Sequence, residues 1–518
     1  MPEVSEIKKE YKYRKIKKIG IREDRKIRRD KDKNLIFLTS YLLIFQFFFL
    51  SGCAVNQDKE ISTYRDVLSK SSNEPPEQLE PNQPLTLIRA MEMANWHNEQ
   101  LAIKGEQYLQ SLIDKDRAVS NFLPQIAFVP TYTQQQKVTF PGALASIASE
   151  IVPPHTLDQP LDTRINLNVP ADVANAERAK SAAEAQKNLL LDLKSTILLD
   201  VARAYYQIML SESSAKVLEN SVSVQHDRVT NVRNKYKAGT ARQLDVTQAE
   251  AQLSRTKVSL IKVRNDIATG RATLALLINT PSVGGSLSDQ LTLPAKLPSG
   301  EELLSAAWKY REDLKAAHHQ VEVSVHTLQQ AWRRYFPSIS LNFTYFLNRQ
   351  SFPSQVSWIY SLGINIPLFT AGLVHDDVRT AWSMLRQAKL NESYLQRQVS
   401  EQLAVALENY NETEKQANEL EVLVRSAQDE LQTSIYSYNA GLATNLDTII
   451  ARNQLLNAQL SLTETKFSEK INFLNLMRIL GHFDSESLTS GFKEQLKYDT
   501  EDNPSEPEDM TLHAESER

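Results

Sequence analysis

Residues 236–260 read YKAGTARQLDVTQAEAQLSRTKVSL, and residues 438–462 read YNAGLATNLDTIIARNQLLNAQLSL. Tyr236, Ala238, Gly239, Ala241, Leu244, Asp245, Ala249, Gln252, Leu253 and Leu260 recur in register as Tyr438, Ala440, Gly441, Ala443, Leu446, Asp447, Ala451, Gln454, Leu455 and Leu462. The chain is therefore an internal duplication. Ahead of each copy lies a stretch free of glycine and proline, residues 171–238 and 373–440, each long enough for a helix of roughly 100 Å. Ala215, Leu218, Val222, Gln225, Val229, Val232 and Tyr236 step by threes and fours, as do Ala417, Leu420, Val424, Ala427 and Leu431. That is coiled-coil spacing.

Gly239 and Gly441 end these helices, because glycine takes the left-handed conformation that closes a helix, and the alanine-rich sequence after it starts another. Each copy predicts a long antiparallel helical hairpin. The Tyr-x-Ala-Gly turn, followed by Leu-Asp and an alanine-rich helix and occurring twice, resembles the TolC family of trimeric outer-membrane efflux and secretion channels, in its lipoprotein, NodT/OprM-like branch. The resemblance covers roughly residues 85–483.

The one long apolar run is residues 35–50, preceded by a basic segment and followed by Leu50, Ser51, Gly52 and Cys53. It has the parts of a secretory signal, and it is shorter than a membrane-spanning helix needs. Leu-Ser-Gly-Cys resembles the bacterial lipobox, which implies cleavage before Cys53, lipid on this only cysteine and, with Ala54 next, sorting to the outer membrane. The expected organisation is a signal peptide over residues 1–52, a lipid-anchored polar linker over 53–84, a first repeat over 85–298, a second over 299–484, and an acidic disordered tail over 485–518. Residues 85–121 read as one helix. The whole chain carries a net charge of −4, and removing the basic leader makes it more acidic, so nucleic acid is not an expected partner.

Between the helices the apolar period changes from helical to two. Strands are expected near residues 123–133 and 161–169 in the first repeat, with an exposed loop over 134–160, and near 338–347 and 356–366 in the second. Ile339, Leu341, Phe343 and Tyr345 alternate with polar residues, as do Trp358, Tyr360, Leu362 and Ile364. Four half-apolar strands could edge a soluble sandwich, but the rest of the chain is committed to long helices and offers no covering layer. A shared transmembrane β-barrel accounts for them, with these apolar residues facing lipid. Four strands cannot close a water-filled barrel, so several chains must contribute, and the resemblance implies a homotrimer.

The fold class expected is mainly α with a small β part. No phosphate loop, dinucleotide turn, paired-cysteine motif or nucleophile elbow occurs, so neither enzyme chemistry nor a cofactor is expected. His318, His319 and His326 fall close together without a supporting thiol or methionine cluster, so no metal site is expected. Asp245 and Asp447 stand in the first turn of the returning helices, where the residues alone leave two roles open. They could cap the helix, Asp245 with Gln248 completing a capping box, or they could face a pore. The resemblance implies the second: aspartates here ring a closed periplasmic entrance. It also implies that Gly239, Thr240, Ala241, Gly441, Leu442 and Ala443 meet a periplasmic adaptor protein joined to an inner-membrane pump of the RND or ABC type. The function so implied is a passive exit duct in the outer membrane. The competing reading is a coiled-coil lipoprotein that tethers the envelope.

Overall fold

The structure, a computed structural model, describes residues 55–69, 83–136, 153–289, 291–294, 297–481 and 483. The signal segment, the lipobox with Cys53, and the acidic tail lie outside the described residues. The chain divides into two units, Met1–Ser62 and Thr63–Arg518, and both repeats with their strands lie in the second.

The elements run α1 (Gln57–Leu68), β1 (Leu85–Thr86), α2 (Leu87–His97), α3 (Glu99–Ser120), β2 (Gln125–Phe128), β3 (Thr131–Gln134), β4 (His155–Leu167), α4 (Val169–Lys237), α5 (Gln243–Leu277), β5 (Leu287–Ser288), α6 (Gly300–Tyr310), α7 (Glu312–Arg333), β6 (Ser338–Asn348), β7 (Trp358–Asn365), α8 (Leu373–Asn439) and α9 (Asn445–Ile479). The duplication is visible helix by helix. α2 and α6 each have 11 residues, α3 and α7 each 22, α4 and α8 have 69 and 67, and α5 and α9 each 35.

The helix expected over residues 85–121 is two helices, broken at Asn98. Asn98 is buried and its side-chain oxygen caps α3 by accepting from the Gln100 and Leu101 amides, while its Nδ2 donates to the Leu277 carbonyl at 3.0 Å. Asn279 answers from the end of α5, donating to the His97 carbonyl at 3.2 Å. The second repeat makes the same break at Arg311, and Gly481, with φ 78°, brings backbone against backbone there: a Cβ would lie 2.7 Å from the Tyr310 carbonyl carbon. Neither break needs proline, because a capping side chain in one repeat and an Arg311–Asp313 ion pair at 2.8 Å in the other help to start the next helix.

The two repeats meet in one core. Tyr205, Tyr206 and Ile208 of α4 are wholly buried with Met91 and Leu101, Leu274 of α5, and Leu474 and Met477 of α9. The Tyr205 hydroxyl sits 2.7 Å from the Leu85 carbonyl and 2.8 Å from that of Ser288, and accepts from the Ser288 amide at 2.9 Å. It thereby pins the parallel β1–β5 pair, Leu85 to Leu287 and Thr86 to Ser288, which ties the inter-repeat linker to the start of the first repeat. Burial pushes the tyrosine hydroxyls of both Tyr205 and Tyr206 above their ordinary value. They stay neutral donors.

The stretch expected to be a plain polar linker carries α1. Tyr64 and Leu68, four apart, are buried, and the Tyr64 ring lies where a Cβ on Gly105 of α3 would be, 2.4 Å from its Cδ2. Glycine inside α3 opens the groove that this ring fills.

The strands form one antiparallel sheet in the order β2-β4-β6-β7, with β3 also on β4. Two expectations need correction. The loop expected over residues 134–160 is shorter, because β4 begins at His155 and Gln134 still pairs with it. Pro160, expected as the last residue of that loop, lies inside β4 at the register shift between Gln159 and Pro160, where the ladder tolerates a residue without an amide hydrogen. The first strand is itself split, β2 from β3, at Val129 and Pro130.

Candidate functional site

Two places hold the residues that the sequence singles out: the sheet at one end of the long helices and the hairpin turns at the other.

In the sheet, β6 and β7 pair Ile339 with Ile364, Leu341 with Leu362, Phe343 with Tyr360, and Tyr345 with Trp358. β4 extends the row, with Ile165 beside Leu341 and Leu161 beside Tyr345, and β2 adds Ile126 and Phe128. From Leu161 to Leu167 of β4 and along the residues it faces in β2, β6 and β7, this face is apolar or aromatic except at Thr163, because strand side chains alternate and the registers there keep the alternation in phase. The face is uncovered: Trp358 is 59% exposed and Ile364 64%. The opposite face carries Asp162, Arg164, Asn342, Thr344 and Ser361. There the Thr344 hydroxyl donates to Asp162 at 2.7 Å, and Arg164 lies 3.5 Å from the same carboxylate. Among the described residues β7 pairs only with β6, and β2 and β3 only with β4, so both outer edges are free.

At the turns, Gly239 and Gly441 have φ of 74° and 77°. The Thr240 amide donates back to the Lys235 carbonyl at 2.9 Å and the Leu442 amide to the Ser437 carbonyl at 2.8 Å, which closes both helices in the same way. Thr240, Gly441 and Leu442 are exposed, and Ala241 and Ala443 are half-buried.

Asp245 and Asp447 occupy matching places with different surroundings. Both stand third in their returning helices and reach back to the N-cap amide, and with Thr444 Asp447 completes a capping box. Asp447 accepts from the Thr444 amide and hydroxyl, each at 2.7 Å, and Asp245 accepts from the Arg242 amide at 2.9 Å. Asp245 thus bonds back to Arg242, and not forward to Gln248 in the capping box that the sequence suggested. Asp245 is 7% exposed, and the Arg242 guanidinium bonds its other oxygen at 3.1 Å. That hydrogen bond and Arg242's charge, with help from Arg228, hold its carboxyl below the usual range against the opposing effect of burial. Asp447 is exposed and held below its ordinary value by the Thr444 bonds alone, with no cation at ion-pair distance among the described residues.

No pattern in the sequence points to the contact between the two hairpins. Arg228 of α4 donates to the side chains of Asn445 and Thr448 in the first turn of α9, and its guanidinium lies 4.8 Å from the centre of the Tyr438 ring. Lys235 lies 4.6 Å from the same ring. Asn445 and Thr448 are almost wholly buried. Arg228 shares no periodicity with these partners, so only the packing of one hairpin on the other reveals it.

His318 contacts Glu392 of α8 at 3.1 Å and His319 contacts Glu322 at 2.8 Å, and among the described residues no group of three or more potential ligands gathers around one point. No described helix is long and apolar enough to cross a membrane.

A pair of repeated long hairpins carrying a two-faced sheet defines a class of fold, that of TolC-like channel proteins. The outer membrane efflux protein family's sequence model matches residues 115–280 and 303–482, and the chain belongs to that family. It is 25% identical over 295 residues to the probable efflux pump outer membrane protein TtgC of Pseudomonas putida, covering 54% of this chain and 59% of that protein. It is 26% identical over 329 residues to the probable outer membrane lipoprotein SilC of Salmonella typhimurium, covering 60% of this chain and 67% of that protein. The match to TtgC therefore spans less than two thirds of that relative. Among solved structures, the outer membrane protein VceC of Vibrio cholerae superposes with a TM-score of 0.67 at 19% identity, over 76% of this chain and 96% of that one. The CmeC outer membrane channel of Campylobacter jejuni does so with 0.66 at 14%, over 85% and 96%. At these identities the structures speak for the fold.

Proposed function

We propose that the protein is the exit duct of a tripartite efflux or type I secretion system: a passive channel held in the bacterial outer membrane and continued by its long hairpins into the periplasm. The observation that carries this reading is the sheet, with an uncovered apolar face, a polar face and two free edges. One chain cannot satisfy those edges, and a lipid-facing barrel closed by several copies can. Three copies bring about twelve strands, enough for a water-filled lumen. Lipid on Cys53 would add to the barrel's own hold on the membrane. Cargo passes by diffusion, and the energy comes from an inner-membrane pump, of the RND or ABC type, reached through a periplasmic adaptor at the tips.

At the closed end, threefold symmetry would gather three copies of each aspartate. Asp245 comes with Arg242 bound to it, so its set is close to neutral. Asp447 carries the bare charge, and it is the residue expected to make the constriction cation-preferring. The test is single-channel recording of the purified, lipidated chain in a planar bilayer. Conductance through a trimer, with divalent-cation block that weakens in Asp447→Asn and is little changed in Asp245→Asn, is the expected result. Absence of any conductance from properly inserted protein would leave the envelope-tether reading standing, and equal effects of the two substitutions would overturn the assignment of the gate to Asp447.

A further inference from the structure

The long helices stand in a row. α5 packs on α4, α4 on α9 and α9 on α8, so α5 and α8 are the outer members, on opposite sides of the chain. The sheet is sided too, with β7, which leads into α8, on one edge and β2 on the other. Each outer helix turns one face into its hairpin and one away. Val246, Ala249, Leu253 and Leu260 of α5 are buried, and at about 100° per residue Arg255, Val258 and Lys262 stand on the opposite side. In α8, Tyr410, Thr413, Ala417 and Ala427 are buried, and Glu419, Val422 and Asp429 stand opposite them. Val258 is 66% exposed and Val422 48%. Arg255, Lys262, Glu419 and Asp429 are exposed and have no ion-pair partner among the described residues, whereas Arg264 and Glu421 on the same helices are paired within their hairpins, with Glu219 of α4 and Lys466 of α9.

The two outward faces match in height as well as in chemistry. The hairpins turn at one level, since the Asn445 Nδ2 donates to the Asp245 carbonyl at 3.4 Å. At about 1.5 Å per residue, Arg255 and Asp429 lie about 18 and 15 Å from their turns, Val258 and Val422 about 23 and 26 Å, and Lys262 and Glu419 about 29 and 30 Å. Farther along, Leu276 and Val405 are 73% and 49% exposed, and both lie about 50 Å from the turns.

We infer that α5 of one copy lies antiparallel along α8 of the next, in a register that sets Lys262 against Glu419, Val258 against Val422 and Arg255 against Asp429. This rests on reading the chain as a channel closed by several copies, and it adds which faces meet and at which residues. Two different faces on the two sides of one chain make a heterologous contact, which closes into a ring where the rotation allows. A second copy is the occupant because each side offers what the other lacks: α5 brings cations, α8 brings anions, and an apolar residue of each falls between them at the same height. A slip of seven residues would set Val258 against Lys415 or Asp429. The alternation of charged and apolar positions therefore excludes the neighbouring registers.

Cys53 is the only cysteine of the chain, so the double variant Val258→Cys, Val422→Cys reports the seam directly. α5 and α8 are the two ends of one chain's row, so oxidation of the full, membrane-inserted protein can join copies and cannot close a bond within one. The expected products on a denaturing gel are covalent dimer and trimer, both released by reductant. The mismatched pair Val258→Cys, Val405→Cys, about 28 Å apart in height, should give about tenfold less. In detergent at about 0.1 M salt, Lys262→Glu should lower the trimer fraction by about tenfold, and adding Glu419→Lys should restore it, because the swap re-forms the pair in reverse. Equal products from the matched and mismatched pairs, a bond to a different protein, no covalent product, or a double swap no better than Lys262→Glu alone would overturn the seam. Bilayer recording separates the two levels: a cross-linked trimer that does not conduct removes the exit-duct reading and leaves the seam, and conducting channels without the bond between positions 258 and 422 remove the seam alone.

Discussion

The core around Tyr205 and the sheet around Tyr360 contain similar residues and treat them in opposite ways. Tyr205, Tyr206 and Leu274 lose all contact with water inside their own chain, and the Tyr205 hydroxyl finds backbone partners there. Tyr360 is 50% exposed and Leu362 55%, with no second layer of the chain above them. The core is therefore a unit that one chain completes. The sheet is left with an uncovered apolar face and two free edges, which the proposed channel would complete with lipid and with copies of the chain.

That contrast can be broken most sharply at Tyr205. Tyr205→Ala should destabilise the detergent-solubilised protein by about 3–5 kcal/mol, the usual cost of removing a buried aromatic ring, read as a fall in denaturation midpoint whether or not trimers have formed. If only the assembled form is affected, the core is not complete within one chain. Tyr360→Arg should cost about 2–4 kcal/mol of membrane stability if its position is near the bilayer midplane. It should leave hydrogen-exchange protection around Tyr205 unchanged, and an unaltered insertion equilibrium in vesicles would remove the lipid-facing assignment.

Asn98→Ala sharpens the core side. It removes a cap and the bond to the Leu277 carbonyl together, an expected loss of about 1–2 kcal/mol, visible in chemical denaturation. The smallest effect belongs to the tips, which depend on neither region. Asp245 has a lowered carboxyl pKa because of Arg242, so the stability it contributes is present above the unfolded-state value of about 3.9 and disappears as pH falls through the lower folded value. Asp245→Asn should flatten the loss of thermal stability below about pH 4 and leave the profile from neutrality to about pH 5 unchanged in slope. A mutant as acid-sensitive as the parent would show that the Arg242 pairing contributes nothing.

Much of this was legible in the sequence for a local reason. A helix seam, a strand's alternation and a glycine turn depend on neighbours a few residues away, so the duplicated stretch at Tyr236 and Tyr438, the four strand regions and the ends of both hairpins could be read directly. Cys53 and residues 485–518 lie beyond what the structure describes, and they stay as sequence readings. What only the tertiary structure decided involves partners far apart in the chain. Tyr64 folds onto Gly105 because a glycine groove happens to face it. β4 runs through Pro160 because β6 continues to pair on either side of the register shift. Arg228 reaches Asn445 and Thr448 because the two hairpins lie side by side. Asp245 and Asp447 read alike in sequence, and they part company only when the neighbouring side chain, Arg242 in one case and Thr444 in the other, is seen to turn toward the carboxylate. Periodicity reports which face of an element is apolar, while the identity of what covers that face is settled by packing between segments that the sequence keeps apart.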